Sequence, residues 1–284
     1  MKVGIQLYSV RNRMKEDPVA TIRAVAEKGY RYLEVANLQA KTDSGVGFGV
    51  STDEIKKILD DTGAEVFSAH IQPFTPDMAK PIIQYHKTIG SKYLILPMDF
   101  YTDRDDVLRK AELMNELGRL CAYAGLGFMY HNHWYEFQIF QGKTVFDLIA
   151  ENTDPQLVMF ELDTYWMTRG GQDPLEMLKR FGTRVKLIHQ KDFPAEYRDE
   201  IILIDPVNRD NIKVDLEYFQ KVKNPKTFTE IGTGILPIQE IINIGNTLCK
   251  SEYIVLEQDH SQYDELESIR ISMESFKKFQ GIEW

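Results

Sequence analysis

The segment Tyr130-His131-Asn132-His133-Trp134-Tyr135-Glu136-Phe137 follows the apolar run Gly-Leu-Gly-Phe-Met of residues 125–129. Side chains alternate along an extended strand, so His131 and His133 are expected on one face. Two imidazoles side by side, with Glu136 just beyond, suit a cation or a polar ligand better than an apolar core. Three further apolar runs end the same way: Leu-Val-Met-Phe-Glu-Leu-Asp163-Thr-Tyr-Trp166, Val-Lys-Leu-Ile-His189-Gln-Lys191-Asp192 and Tyr-Ile-Val-Leu-Glu257-Gln-Asp259. Singly, each has a plain structural reading, Asp163 as a turn cap and Glu257 as a lysine's partner. Four in succession are harder to explain so, because crowded carboxylates repel and lose hydration unless a cation compensates them. Three carboxylates and an imidazole suit a divalent ion such as Mn²⁺, Mg²⁺, Co²⁺ or Zn²⁺, with room for substrate oxygens. The lack of a cysteine ligand argues against a purely structural zinc.

Other residues could serve the same chemistry. Lys191 would place a positive charge over a developing oxyanion. Glu230, in Phe-Thr-Glu-Ile-Gly, is a candidate second acid or base, or a lid residue. His70, ending Phe-Ser-Ala-His, and Tyr8 are placed at the mouth of the same site. Trp166 and Trp134 would form an apolar wall for a bound ring. His86, in the helical stretch Gln-Tyr-His-Lys, reads as a surface residue, and Gly232-Thr-Gly234 is too short a signal for phosphate binding.

The elements that must carry these residues follow a repeated phase: an amphipathic helix, a glycine, then a β-rich run. Gly29, Gly63, Gly90, Gly125 and Gly182 mark the helix ends, where a left-handed residue is needed. Ser51 with Glu54 forms a capping-box pattern, and Asp173-Pro174 a cap and first helical position. Eight β-rich runs emerge, at residues 3–8, 31–36, 65–70, 93–97, 127–133, 157–162, 185–189 and 253–257. Separated by helical patterns, they predict a (β/α)₈ barrel as a single domain over residues 1–284, closed by a helix over 264–280. The first run is followed by no Gly-x-Gly-x-x-Gly turn, which disfavours a doubly wound sheet. In such a barrel the C-terminal strand ends converge on one mouth, where all four polar endings would meet. One connection is long: residues 193–252 should hold helices near 215–222 and 237–249, and would lie at that rim as a lid.

Composition sets the outer bounds. The 284 residues are 43% hydrophobic and 27% charged, with a formal net charge of −9 and no Lys/Arg-dense stripe. That disfavours sequence-independent nucleic-acid binding, which needs a positive surface, and leaves a small-molecule substrate. The two cysteines, Cys121 and Cys249, are far apart and read as reduced, partly buried thiols. The first residues lack the apolar core of a signal peptide, and no apolar stretch approaches ~18 residues, so a cytoplasmic location without a membrane span is expected.

The chain resembles the sugar phosphate isomerase/epimerase superfamily of xylose isomerase-like TIM barrels. The matching stretches are Gly4-Ile-Gln-Leu-Tyr-Ser-Val-Arg11, the Tyr130–Phe137 segment, Glu161-Leu-Asp-Thr-Tyr-Trp166 with Gly170-Gly171 behind it, His189-Gln-Lys-Asp192 and Leu256-Glu-Gln-Asp259. They run from the first strand to the last. The resemblance implies a metal held by Glu136, Asp163, His189 and Glu257, Mn²⁺ foremost, with His131 or His133 as the alternative fifth-strand ligand and the other histidine on substrate. It implies a metal-dependent isomerase or epimerase of a keto-sugar or polyol, with Glu136 and Glu257 exchanging a proton beside a metal-bound carbonyl and Lys191 assisting. His70, Tyr8, Trp166 and Glu230 would line the carbohydrate. A lyase or dehydratase using the same enediolate is the alternative. An abasic-site endonuclease, opposed by the acidic balance, and a non-catalytic sugar binder stand further off.

Overall fold

The computed structural model describes residues 1–204 and 212–284. Eight parallel strands form a closed barrel: β1 (Lys2–Gln6), β2 (Tyr32–Asn37), β3 (Glu65–Ile71), β4 (Tyr93–Leu96), β5 (Gly127–His131), β6 (Val158–Asp163), β7 (Val185–Gln190) and β8 (Tyr253–Leu256). Each strand pairs with its sequence neighbours, and β1 closes the ring on β8 with Lys2 opposite Tyr253 and Ile5 opposite Leu256. This is the (β/α)₈ architecture that the helix–glycine–strand phase predicts.

Period-two alternation divides each strand between two cores. Outward side chains join the large layer between barrel and helices, which includes Val3, Ile5, Leu33, Val35, Leu94, Phe128, Tyr130, Phe160, Leu162 and Ile188. Inward side chains change character along the bore. At the floor lie Phe67, Ile95, Met129, Leu187, Tyr253 and Val255, with Tyr32, Tyr93 and Met159 against them. One or two inward positions further along the strands stand His131, Glu161, Asp163, His189 and Glu257. An apolar floor thus supports a polar mouth.

The helices start and stop where their sequences say. Ser51 and Glu54 form the reciprocal capping box of Thr52–Thr62, which ends at Gly63 with φ +65°. Asp173 caps Pro174–Phe181 through the backbone N–H groups of Leu175 and Glu176. The closing helix is Glu265–Phe276. Two strands stop two residues earlier than expected: β1 passes into a 3₁₀ turn at Leu7–Val10, capped by the Gln6 side chain, and β5 ends at His131.

Within the long connection after β7, Leu216–Lys221 and Ile238–Ile244 are helical, the latter continuing as a π-turn to Cys249. Part of the expected lid, residues 205–211, lies outside the described residues. The later segment 232–236 is tied down by Asp192, whose carboxylate accepts from the backbone N–H groups of Gly232, Gly234 and Leu236 at 2.9, 2.9 and 3.1 Å. Gly234 is required there, since a Cβ would lie 2.3 Å from Asp192 Oδ1 and 2.4 Å from the Phe193 carbonyl oxygen.

His86 corrects the sequence reading. It is fully buried on helix Ala79–Thr88, with Nδ1 3.1 Å from Ser91 Oγ, and burial pushes its pKa down to about 4. A polar residue on the apolar face of a helix is indistinguishable by pattern from one at the face's edge. Both cysteines are free and buried. Among the described residues no helix is long and apolar enough to cross a membrane.

Candidate active site

The lower tier of the mouth is built around two buried carboxylates. Glu34, on β2, accepts from Gln6 Nε2 at 2.9 Å, from Ser68 Oγ, and from His189 Nε2 at 2.6 Å. Glu161, on β6, faces three imidazoles. His70 Nε2 lies 2.5 Å and His131 Nδ1 3.0 Å from its Oε2, and His189 Nε2 lies 3.2 Å from its Oε1. Burial and then the Glu161 charge raise the Glu34 carboxyl above its usual range. For Glu161 burial is outweighed by His189 and His70, which hold it well below. His131 is pushed down to about 3 by burial, so its imidazole is neutral.

The upper tier gathers His131, Asp163, His189 and Glu257, whose ligand-capable atoms all lie within 4.8 Å of one another. His70, His131, Glu161 and His189 meet the same criterion one layer below. Asp163 is held firmly. Its Oδ1 accepts from the backbone N–H of Trp166 at 2.8 Å, and Asn132 accepts from its backbone N–H at 3.0 Å. The asparagine between the two histidines of the motif therefore locks β5 to β6. His189 Nδ1 lies 3.3 Å from Glu257 Oε2. Lys191, only 1% exposed, donates to both Asp163 Oδ2 and Glu257 Oε2. Burial opposes its charge, but Asp163 and Glu257 outweigh burial and hold its pKa above the usual lysine value.

This donor set, two carboxylates and two imidazoles closing on one point, fits a divalent ion. Lys191 shows how strongly the carboxylate pair calls for positive charge: its ammonium already bridges them. An ion held by the four residues would share Asp163 and Glu257 with that ammonium.

Glu136 is placed differently from the sequence expectation. The chain turns at the 3₁₀ segment Tyr135–Phe137, and Glu136 folds back on the outer side of β5. There its Oε1 accepts from Tyr130 Oη at 2.6 Å and its Oε2 from the His133 backbone N–H at 2.9 Å. Tyr130 points outward because His131 points inward, so a carboxylate bound to Tyr130 is on the wrong face for the mouth. His131 takes the β5 position in the cluster instead.

The cavity over the cluster is lined by Gln6, Tyr8, His70, His131, His133, Trp166, Phe219, Lys223, Glu257 and Asp259. His133 stacks on Tyr135 at 5.5 Å and tilts against Trp166 at 5.7 Å, and its Nδ1 has no partner among the described residues. Trp134 is buried between Tyr135 and Tyr218 and does not line this cavity. Glu230 is also turned elsewhere, accepting from the hydroxyls of Ser261 and Ser268 at 2.6 and 2.7 Å. Phe219 and Lys223, which sequence reasoning missed, come from the long connection, where no local pattern marks them. Lys223 pairs with Asp259 at 2.8 Å. Glu34 and Glu161 were also missed, yet each interrupts an apolar strand, and Glu161 sits two residues before Asp163 on the same face.

Residues 22–279 match the xylose isomerase-like TIM barrel family. The chain belongs to that family. Over 143 residues it is 32% identical to inosose dehydratase 2 of Bacillus cereus (strain ZK / E33L), covering 50% of this chain and 43% of that protein. The match thus spans less than half of that relative's length. Among solved structures, a sugar phosphate isomerase/epimerase from Parabacteroides distasonis superposes with a TM-score of 0.80 at 22% identity, covering 99% of this chain and 95% of that one. IolI protein, solved with a bound zinc atom, superposes with a TM-score of 0.65 at 12% identity over 97% and 96% of the two chains. At these identities the superpositions speak for the fold.

Proposed function

We propose that this member of the xylose isomerase-like barrels enolises a small polyhydroxy ketone, a keto-sugar or cyclic polyol ketone, with a divalent ion held by His131, Asp163, His189 and Glu257. The observation that carries the reading is Lys191 buried between Asp163 and Glu257, directly above a histidine–carboxylate tier. When bound, the ion supplies a Lewis acid for the ketone oxygen. Glu257 takes the proton from the adjacent carbon. The Lys191 ammonium, held charged by its two carboxylates, stabilises the oxyanion that develops. His70 and His133 are placed to bond hydroxyl groups, and Trp166 with Phe219 covers the apolar face of the ring and excludes water. Glu136 has no part in this scheme, because it faces away from the cavity. Zinc in a protein of the same fold agrees with a divalent ion here, and Mn²⁺ remains our expectation for the metal.

Two completions share the same proton abstraction. Reprotonation at another face or carbon gives an isomerase or epimerase, the reading drawn from the sequence. Departure of a β-hydroxyl as water, on the proton that Glu257 has taken, gives a dehydratase, which the similarity to inosose dehydratase favours. Turnover of keto-sugars and cyclic polyol ketones in deuterated water distinguishes them. Deuterium beside the carbonyl at unchanged product skeleton supports the first, and loss of water the second. Isomerised or epimerised product with no deuterium at any carbon, and no loss of water from any substrate, would overturn enolisation through a solvent-exchanging base.

A further inference from the structure

We infer that Glu34 and Glu161 are positioning residues, whose task is to fix which ring nitrogen His189 and His131 offer to the ion. The inference rests on the ion-binding reading above. An imidazole bound to an ion keeps one N–H and gives the lone pair of its other nitrogen to the ion, and the group that accepts the N–H decides which nitrogen that is. His131 directs Nδ1 at Glu161 Oε2, 3.0 Å away, so Nε2 is its remaining nitrogen. His189 directs Nε2 at Glu34 Oε1, 2.6 Å away, so Nδ1 remains, and it lies on the mouth side, 3.3 Å from Glu257. Both acceptors are rigid. Glu34 is gripped by Gln6 and Ser68, and Glu161 by His70, all in the barrel wall. The same lone-pair count excludes a second ion in the lower tier while the upper is filled, because both tiers draw on the His131 and His189 rings. Strand β6 thus supplies an ion ligand, Asp163, and two residues deeper the carboxylate that orients its neighbour's ligand.

The test combines ¹⁵N NMR of the histidine rings with Zn²⁺ binding on the full chain. Metal-free wild type should show His131 protonated on Nδ1, and about one Zn²⁺ should bind per chain. Glu161→Met removes the acceptor at similar size, whereas Glu161→Gln keeps one carbonyl oxygen. Zn²⁺ affinity should fall about 10–100-fold in the methionine variant and less in the glutamine variant. His131 should move to the Nε2–H tautomer in Glu161→Met. A wild-type His131 already protonated on Nε2 would overturn the inference without any variant. So would two Zn²⁺ per chain, or equal affinity in wild type and Glu161→Met. Failure of wild type to bind Zn²⁺ at all would instead remove the functional reading, and the inference with it.

Discussion

At the scale of single residues, the fifth-strand motif divides its polar groups between two faces. His131 faces the cluster, while Glu136 is bonded to Tyr130 on the outside. His131→Ala should therefore abolish stoichiometric metal uptake, and Glu136→Gln should leave it unchanged, as elemental analysis after dialysis against Mn²⁺ would show. Glu136 has its own signature. Burial raises its carboxyl from the usual 4.5 to about 8, so the folded protein holds a proton that the unfolded chain releases. The resulting stability is fully present below ~4.5 and is lost as pH rises through about 8. Denaturant titrations should show wild type losing a few kcal/mol relative to Glu136→Gln between pH ~5 and ~8, at roughly 1.4 kcal/mol per pH unit. Parallel pH profiles for the two proteins would refute the assignment.

At the scale of elements, the long connection after β7 works through two fixtures. Asp192, just past the strand, receives three backbone N–H groups from residues 232–236. Asp192→Ala leaves those donors without their acceptor and should cost about 3 kcal/mol, with faster proteolysis confined to the 229–236 segment. Uniform destabilisation without local cleavage would argue against an anchoring role. The second fixture is helix Leu216–Lys221, which brings Phe219 against His133 and Trp166 at ring distances of 5.4 and 6.2 Å. Phe219→Ala should raise KM for the productive ketone with little change in kcat, since the ring supplies contact area and no chemistry. A fall in kcat at constant KM would place the ring in the transition state.

At the scale of the whole molecule, four of the eight strands bring His131, Asp163, His189 and Glu257 to one cluster, so an ion bound there would tie β5, β6, β7 and β8 together. An ion that binds only the folded chain stabilises it by mass action, about 2.7 kcal/mol at a hundredfold excess over Kd. Tm should rise with added Mn²⁺ or Zn²⁺ and fall back on chelation in wild type. His189→Ala should show no such response. A Tm that ignores metal in wild type would count against the site.

Much of this was legible in the sequence because it depends on short-range rules. The helix–glycine–strand phase, the Ser51 and Asp173 caps, and the polar strand endings at Asp163, His189 and Glu257 are local consequences of backbone geometry and side-chain period. Eight such units without the glycine-rich turn of a doubly wound sheet point to a closed barrel, so the mouth and its contributing strands were implied as well. What the sequence could not decide was where the period breaks. The strand stops at His131 and the chain folds back, which sends Glu136 outward and leaves an imidazole to complete the cluster. Nor could it show that Glu34 and Glu161, acids inside apolar strands, meet three histidines from β3, β5 and β7. Those encounters join residues as many as 155 positions apart, and only barrel closure sets which inward side chains share a layer.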